Sequence, residues 1–275
     1  MPSRRAAFAR WVWHFCAVPY TQSRRKPTTA CPKLARLLSC LLIWLPDFRS
    51  FRPLHLPPMT SKRYLFADIA KGSGEMAMEN WIQTDEAADV AGSVRHAIRA
   101  AQFVCEDPLA WKWVAMALHS ALQGACVCHL TTTAAPVGAV TERNAGEWLT
   151  YFEESRTDPK AKPPKTYLMA LPELLKAVRK PPSAGDGSND VGVAISESEL
   201  HWLRRFHMEI RNQFAHFEPK GWSIEVSGVP DIAKLIARVI GDILQIGWAF
   251  RHHDSAQRQE LRGSLNTIGT MDWPQ

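Results

Sequence analysis

One stretch decides the fold: Glu199-Leu-His-Trp-Leu-Arg-Arg-Phe-His-Met-Glu-Ile-Arg-Asn-Gln-Phe-Ala-His216. It predicts a long amphipathic helix, because its apolar residues recur at three- and four-residue steps. Ser196-Glu-Ser-Glu199 matches a capping box at the start of this helix, and Pro219 with Gly221 predicts its end. The apolar stripe consists of Leu200, Leu203, Phe206, Ile210, Phe214 and Phe217.

Three polar residues stand near the end of this predicted helix, in the order Arg211-Asn212-x-x-x-His216. On an ideal helix Arg211 and His216 are separated by about 140° around the axis, so they lie on opposite flanks of the stripe. Asn212 and His216, four residues apart, share a face that points away from the stripe. We therefore expect these side chains to line a cleft or an interface rather than to fill the core.

An arginine, a polar residue, three further residues and a histidine resemble the motif of the HEPN superfamily, helical bundles many of which are metal-independent ribonucleases. The run from Arg211 to Glu225 is also similar to bacterial proteins of unassigned function. The resemblance implies an all-α bundle that acts as a homodimer, in which two copies of the motif form one composite site. It further implies that Arg211, His216 and Asn212 are catalytic, that RNA is the substrate, and that no metal or cofactor is needed.

The chemistry of RNA cleavage suits these residue types. Attack by the 2′-hydroxyl needs a base, an acid for the leaving oxygen, and a cation for the phosphate. A histidine titrates near neutral pH and serves as base or acid, and the guanidinium of Arg211 clamps phosphate oxygens. Asn212 would orient the histidine or the phosphate.

A non-catalytic interpretation of the motif stands beside this one. Arg211 could pair with Glu209 or another carboxylate, and His216 could favour the negative end of the helix. Many HEPN members are non-catalytic, so a helical module that binds a protein or a nucleotide through the same face is the alternative function.

The flanking sequence predicts the rest of a bundle over residues 84–253. Thr84-Asp-Glu is a helix start, and Asp107-Pro108 opens a second helix that is apolar on nearly every side and therefore central. We expect four to five helices in all, with a loose insertion at 130–165, a flexible linker at 181–190 and a polar, mobile tail at 254–275. The other predicted helices lie around Trp148, at about 167–178 and at about 230–251.

The N-terminal residues differ from the rest in composition. Residues 1–58 carry ten Lys and Arg against the single acid Asp47, a net charge of +9, which leaves −3 for the remaining chain. We expect a disordered basic leader or a start-site artefact before Met59, then a linker at 59–83. The apolar patch at Leu34–Leu45 is shorter than the roughly 20 residues of a membrane span. The mildly acidic remainder predicts no broad basic field for nucleic acid. We expect no DNA binding, and membrane association through the leader is a third alternative.

Six cysteines in 275 residues are too sparse for a disulfide framework, which favours reduced thiols and a cytoplasmic protein. Cys126-x-Cys128-His129 resembles a fragment of a metal site, but it lacks a second ligand pair, so buried packing is the preferred interpretation. We expect His119 to be a satisfied core or cleft-lining residue, and His201 and His207 to be surface or interface groups. The chain has no phosphate loop and no dinucleotide glycine pattern, so no cofactor is predicted.

Overall fold

The computed structural model describes residues 82, 84–133, 135–216 and 223–274. These residues form helices and contain no strand, only an isolated antiparallel bridge between Val140 and Leu168. The predicted all-α class is therefore confirmed. The basic leader at 1–58, most of the linker at 59–83, and the Pro219–Gly221 stop lie outside the described residues.

Helices α1 (Glu86–Ala101) and α2 (Ala110–Leu130) pack against each other along their lengths. The N-cap of α1 is Asp85, one residue later than the predicted Thr84, because the Asp85 carboxylate accepts the Ala88 N–H at 2.7 Å. Helix α2 also contacts four other elements of the bundle, so its predicted central position is confirmed. By length and composition alone α2 could cross a membrane, but 72% of its apolar window is buried within the protein.

The insertion after α2 contains α3 (Glu142–Glu154), and α4 (Leu171–Val178) follows it. The predicted helix at 167–178 starts too early, since Tyr167 and Leu168 are extended and exposed, and Pro172 occupies the first turn of α4. The buried Asn144 fixes the insertion through two hydrogen bonds. Its amide donates to the Lys165 carbonyl and accepts the Tyr167 N–H, each at 2.8 Å.

The segment at 181–190 is held by side-chain hydrogen bonds, which corrects the prediction of a flexible linker. The Asn189 side-chain oxygen accepts the N–H groups of Ser183 at 2.9 Å and Ala184 at 2.7 Å. The His129 ring, fully buried on α2, lies 2.8 Å from the Ser183 hydroxyl. The composition is typical of a linker, but one buried asparagine supplies the acceptors that the turn needs.

The C-terminal part consists of α7 (Val229–Ile246), a 3-10 turn (Trp248–Phe250) and α8 (Ser255–Thr270). Helix α7 ends earlier than the predicted 251 because Gly247 adopts φ +91°, a left-handed conformation that glycine tolerates. The predicted mobile tail from 254 is wrong. Asp254 and Gln257 form a capping box, and α8 packs on α1 and α7 through Leu261, Leu265 and Ile268. After α8, the Trp273 ring stacks on Trp111 with centroids 6.1 Å apart.

Candidate functional site

The motif lies on a helix that is regular only at its start. Helix α5 (Glu197–Arg205) continues through a π-helical segment (Phe206–Arg211) into α6 (Asn212–Ala215). The predicted capping box is confirmed: Ser196 accepts the Glu199 N–H, and the Glu199 carboxylate accepts the Ser196 N–H. The stripe is buried at Leu200, Leu203, Phe206 and Ile210, and Phe214 packs partly against the core. Phe217 lies outside the described residues.

The π segment changes the geometry of the motif. The Asn212 N–H bonds to the His207 carbonyl five residues earlier, instead of the carbonyl four residues earlier. The angle of about 140° between Arg211 and His216 assumed a regular α-helix, so it does not describe this chain. Single π turns within α-helices are frequent at functional sites.

In the structure, two of the three predicted site residues are hydrogen-bonded to each other. Arg211 and Asn212 are half-buried, and an Arg211 Nη1–H donates to the Asn212 side-chain oxygen at 3.0 Å. His216 directly follows α6, with an exposed side chain and a backbone N–H that donates to the Asn212 carbonyl at 2.9 Å. Among the described residues the His216 ring has no hydrogen bond to Arg211 or Asn212. It is therefore accessible to a ligand or to a second protein copy.

The charge of Arg211 is not neutralised by a carboxylate among the described residues. The expected competitor, Glu209, instead binds Arg205 through both carboxylate oxygens, with distances of 2.8–3.1 Å. The Arg211 Nε–H is buried, and no described residue accepts it. Arg211 thus keeps a full positive charge and unused donors beside a neutral amide, an arrangement that suits an anionic ligand.

Two histidines beside Arg211 form a pair that the sequence analysis did not assign to the site. The Nε2 of His119, on α2, lies 2.8 Å from the Nδ1 of His207, on the π segment, and the two rings stack with centroids 5.1 Å apart. His119 is only 4% exposed, which agrees with the expected core or cleft-lining role. His207 is half-buried against α2, so the prediction of a surface or interface group misses its inward contact. His201 is exposed, as expected.

Both histidines of this pair are held in the neutral form. Burial lowers the pKa of His119 to about 3, and the positive charge of Arg211 and the neighbouring His207 act in the same direction. Burial also lowers the pKa of His207, again with help from Arg211, while the Glu173 carboxylate on α4 opposes the shift. At neutral pH the cluster therefore contains one fixed cation, Arg211, and two uncharged imidazoles.

The Cys126-x-Cys128-His129 fragment is buried, as the preferred interpretation required. Burial raises the pKa of both thiols to about 12 and lowers the pKa of His129 to about 4. At neutral pH both thiols are therefore protonated rather than thiolate. No group of three or more His, Cys, Asp or Glu residues in the described part of the chain could hold a metal ion. Cys105, in contrast, is exposed.

The combined arrangement is a half-buried arginine, an asparagine bound to it, a neutral histidine pair on one side and an exposed histidine beyond the helix end. An oxyanion fits the arginine, and imidazoles on either side can accept or donate protons. Comparisons with protein-family models, with curated proteins and with solved structures give no match to this chain. The candidate site is therefore described from its geometry alone.

Proposed function

We propose that this protein is a metal-independent endoribonuclease of HEPN type that acts as a homodimer. Arg211 binds the scissile phosphate, His216 transfers protons, and Asn212 holds the guanidinium. Two copies bring their His216 side chains to a composite site. The activity is cytoplasmic and has no DNA substrate, because DNA lacks the attacking 2′-hydroxyl.

The observation that carries this proposal is that no carboxylate in the described part of the chain pairs with the charge of Arg211. A half-buried arginine commonly has a carboxylate partner, since an isolated buried charge is costly. Among the residues that the structure describes, Arg211 has the Asn212 amide as its hydrogen-bonding side chain, while the nearby Glu209 is bound by Arg205. The fork-shaped guanidinium is suited to bidentate contacts with phosphate oxygens.

The reaction needs no metal or other co-reactant. One imidazole removes the proton of the RNA 2′-hydroxyl, and the 2′-oxygen attacks the adjacent phosphorus. The bond from phosphorus to the 5′-oxygen breaks, and a protonated imidazole gives that oxygen a proton. The products are a 2′,3′-cyclic phosphate and a 5′-hydroxyl, and solvent restores the two imidazoles to their starting states.

A non-catalytic binding module is the second candidate, and one observation favours it. No described residue hydrogen-bonds the His216 ring, so nothing within this part of the chain orients it, whereas catalytic histidines are normally held by a partner. In that case Arg211 and Asn212 would bind the phosphate of a nucleotide or an acidic group of a partner protein without cleavage.

The deciding experiment measures cleavage of varied RNAs in EDTA by wild type, His216→Ala and Arg211→Ala, with the oligomeric state recorded. We expect wild type to form 2′,3′-cyclic phosphate ends and His216→Ala to be slower by about 10²- to 10⁴-fold, the usual contribution of acid–base catalysis. His201→Gln, at an exposed position on the same helix, is the matched control. Absence of cleavage by a folded, dimeric wild type would transfer the assignment to the binding module.

A further inference from the structure

We propose that His207 is a proton-transfer group of this site and that His119 is the residue that positions it. The inference rests on the proposed ribonuclease function and changes one part of it. Each chain would then contain both proton-transfer groups, His207 before Arg211 and His216 after it. The second copy would not be needed to supply a histidine.

The geometry around His207 is that of an oriented imidazole. Its Nδ1 is 2.8 Å from the Nε2 of His119, and the stacked rings prevent it from turning freely. His119 is itself fixed, because it lies on the central helix α2, is 4% exposed and contacts the buried Phe206 ring, with centroids 6.3 Å apart. A catalytic histidine is typically held in this way through one nitrogen, which leaves the other for the substrate.

The second nitrogen of His207, Nε2, has no hydrogen-bond partner among the residues that the structure describes. When the His207 Nδ1–H donates to His119 Nε2, the Nε2 of His207 carries a lone pair, as a general base requires. His207 is half-buried, so this nitrogen is within reach of a substrate, whereas His119 is too buried to touch one. His119 therefore acts only through His207.

The phosphate-binding group lies on the same segment. His207 and Arg211 are four residues apart on the π segment, and the charge of Arg211 acts on both histidines. A phosphodiester held by Arg211 would thus place its 2′-hydroxyl near one of the flanking histidines. His207 Nε2 takes the 2′-hydroxyl proton, the new bond from the 2′-oxygen to phosphorus forms, and the leaving 5′-oxygen takes a proton from His216.

Three groups set the charge state of His207: Arg211 on its own segment, His119 on α2 and Glu173 on α4. Burial and Arg211 keep the pKa of His207 below the ordinary histidine value, so the base form dominates at neutral pH. When the phosphate binds, its negative charge offsets that of Arg211 and favours proton uptake by His207. Substrate binding therefore raises the tendency of His207 to take up a proton.

The test compares the pH dependence of RNA cleavage by wild type, His207→Gln, His119→Phe and His119→Gln, with His201→Gln as the control. We expect His207→Gln to lower kcat by about 10²- to 10⁴-fold and to remove the ionisation on the acidic limb of the profile. His119→Phe fills the same space without a hydrogen bond and should lower kcat, while His119→Gln, which keeps a hydrogen-bonding group, should recover part of it. A purely structural pair would leave the shape of the profile unchanged.

A measurement on wild type covers the case in which a variant does not fold. The pKa on the acidic limb of kcat/KM must equal the pKa of the His207 ring followed by NMR in the free protein. Unequal values, or a folded His207→Gln that cleaves like wild type with the same profile, overturn the role of His207 and leave the ribonuclease function intact. Wild type that cleaves no RNA overturns both.

Discussion

Acid should destabilise this protein through His119, because the folded state keeps its ring neutral. The pKa of His119 is about 3 in the folded protein and 6.5 when the ring is exposed to water. Below pH 6.5 the unfolded chain therefore binds a proton that the folded chain does not bind. The free energy of unfolding must fall as the pH falls from 6.5 towards 3, and rise again when the pH is raised.

The size of the effect follows from the two pKa values. At pH 5 the preference of the unfolded chain for the protonated ring costs the folded state about 2 kcal/mol, whereas at pH 7 the cost is only about 0.2 kcal/mol. The buried His129, whose pKa is lowered to about 4, adds a similar amount at pH 5. Together these two residues make the protein about 4 kcal/mol less stable at pH 5 than at pH 7, a large part of a typical domain's stability.

The assay is urea unfolding followed by circular dichroism at pH 7 and pH 5 for wild type and His119→Phe. The variant loses the hydrogen bond to His207 at both pH values, so that loss largely cancels in the difference between them. We expect the stability lost between pH 7 and pH 5 to be about 2 kcal/mol smaller in His119→Phe than in wild type, and unchanged in His201→Gln. An equal loss in wild type and His119→Phe would refute the assignment of His119 as a buried neutral residue.

Two further predictions concern segments whose order the sequence did not reveal, and urea unfolding measures both. Trp273→Ala removes the ring stacked on Trp111 and should lower the free energy of unfolding by about 3 kcal/mol. Trp273→Phe should lower it less. An Ala variant as stable as wild type would contradict the docking of this end of the chain. Asn189→Ala leaves two N–H groups without their acceptor and should also cost about 3 kcal/mol. Asn189→Asp keeps an acceptor oxygen for both N–H groups, so an equal loss in both variants would argue against this role.

The structure pairs the Asn212 side chain with Arg211, whereas the sequence pattern predicted that Asn212 shares a face with His216. The sequence could not predict the partner of Arg211, since Glu209 and Asn212 were both within reach, and the choice depends on Arg205 binding Glu209 first. The sequence did not predict the π segment, because one extra residue in a turn leaves the apolar residues at three- and four-residue steps, as in a regular α-helix.

The sequence of the terminal helix α8 contains a helical pattern, but the pattern is too weak to predict that this helix packs on the bundle. Leu261, Leu265 and Ile268 are spaced by four and three residues, as on one face of a helix, and Asp254 with Gln257 forms a capping box. Polar residues occupy most of the other positions, so the average composition resembled a solvated tail. Only the packing of this narrow apolar face on α1 and α7 distinguishes a docked helix from a mobile end.

By itself, the sequence determined the helical class, the central position of α2, the capping box at Ser196 and the buried stripe from Leu200 to Ile210. These features depend on residues within a few positions of one another, and helical periodicity and capping are local properties. The tertiary structure alone decided that His119 meets His207, 88 residues away in sequence, beside Arg211. Such a contact depends on how whole helices pack, because the cost of burying an imidazole is met only when another helix supplies its partner.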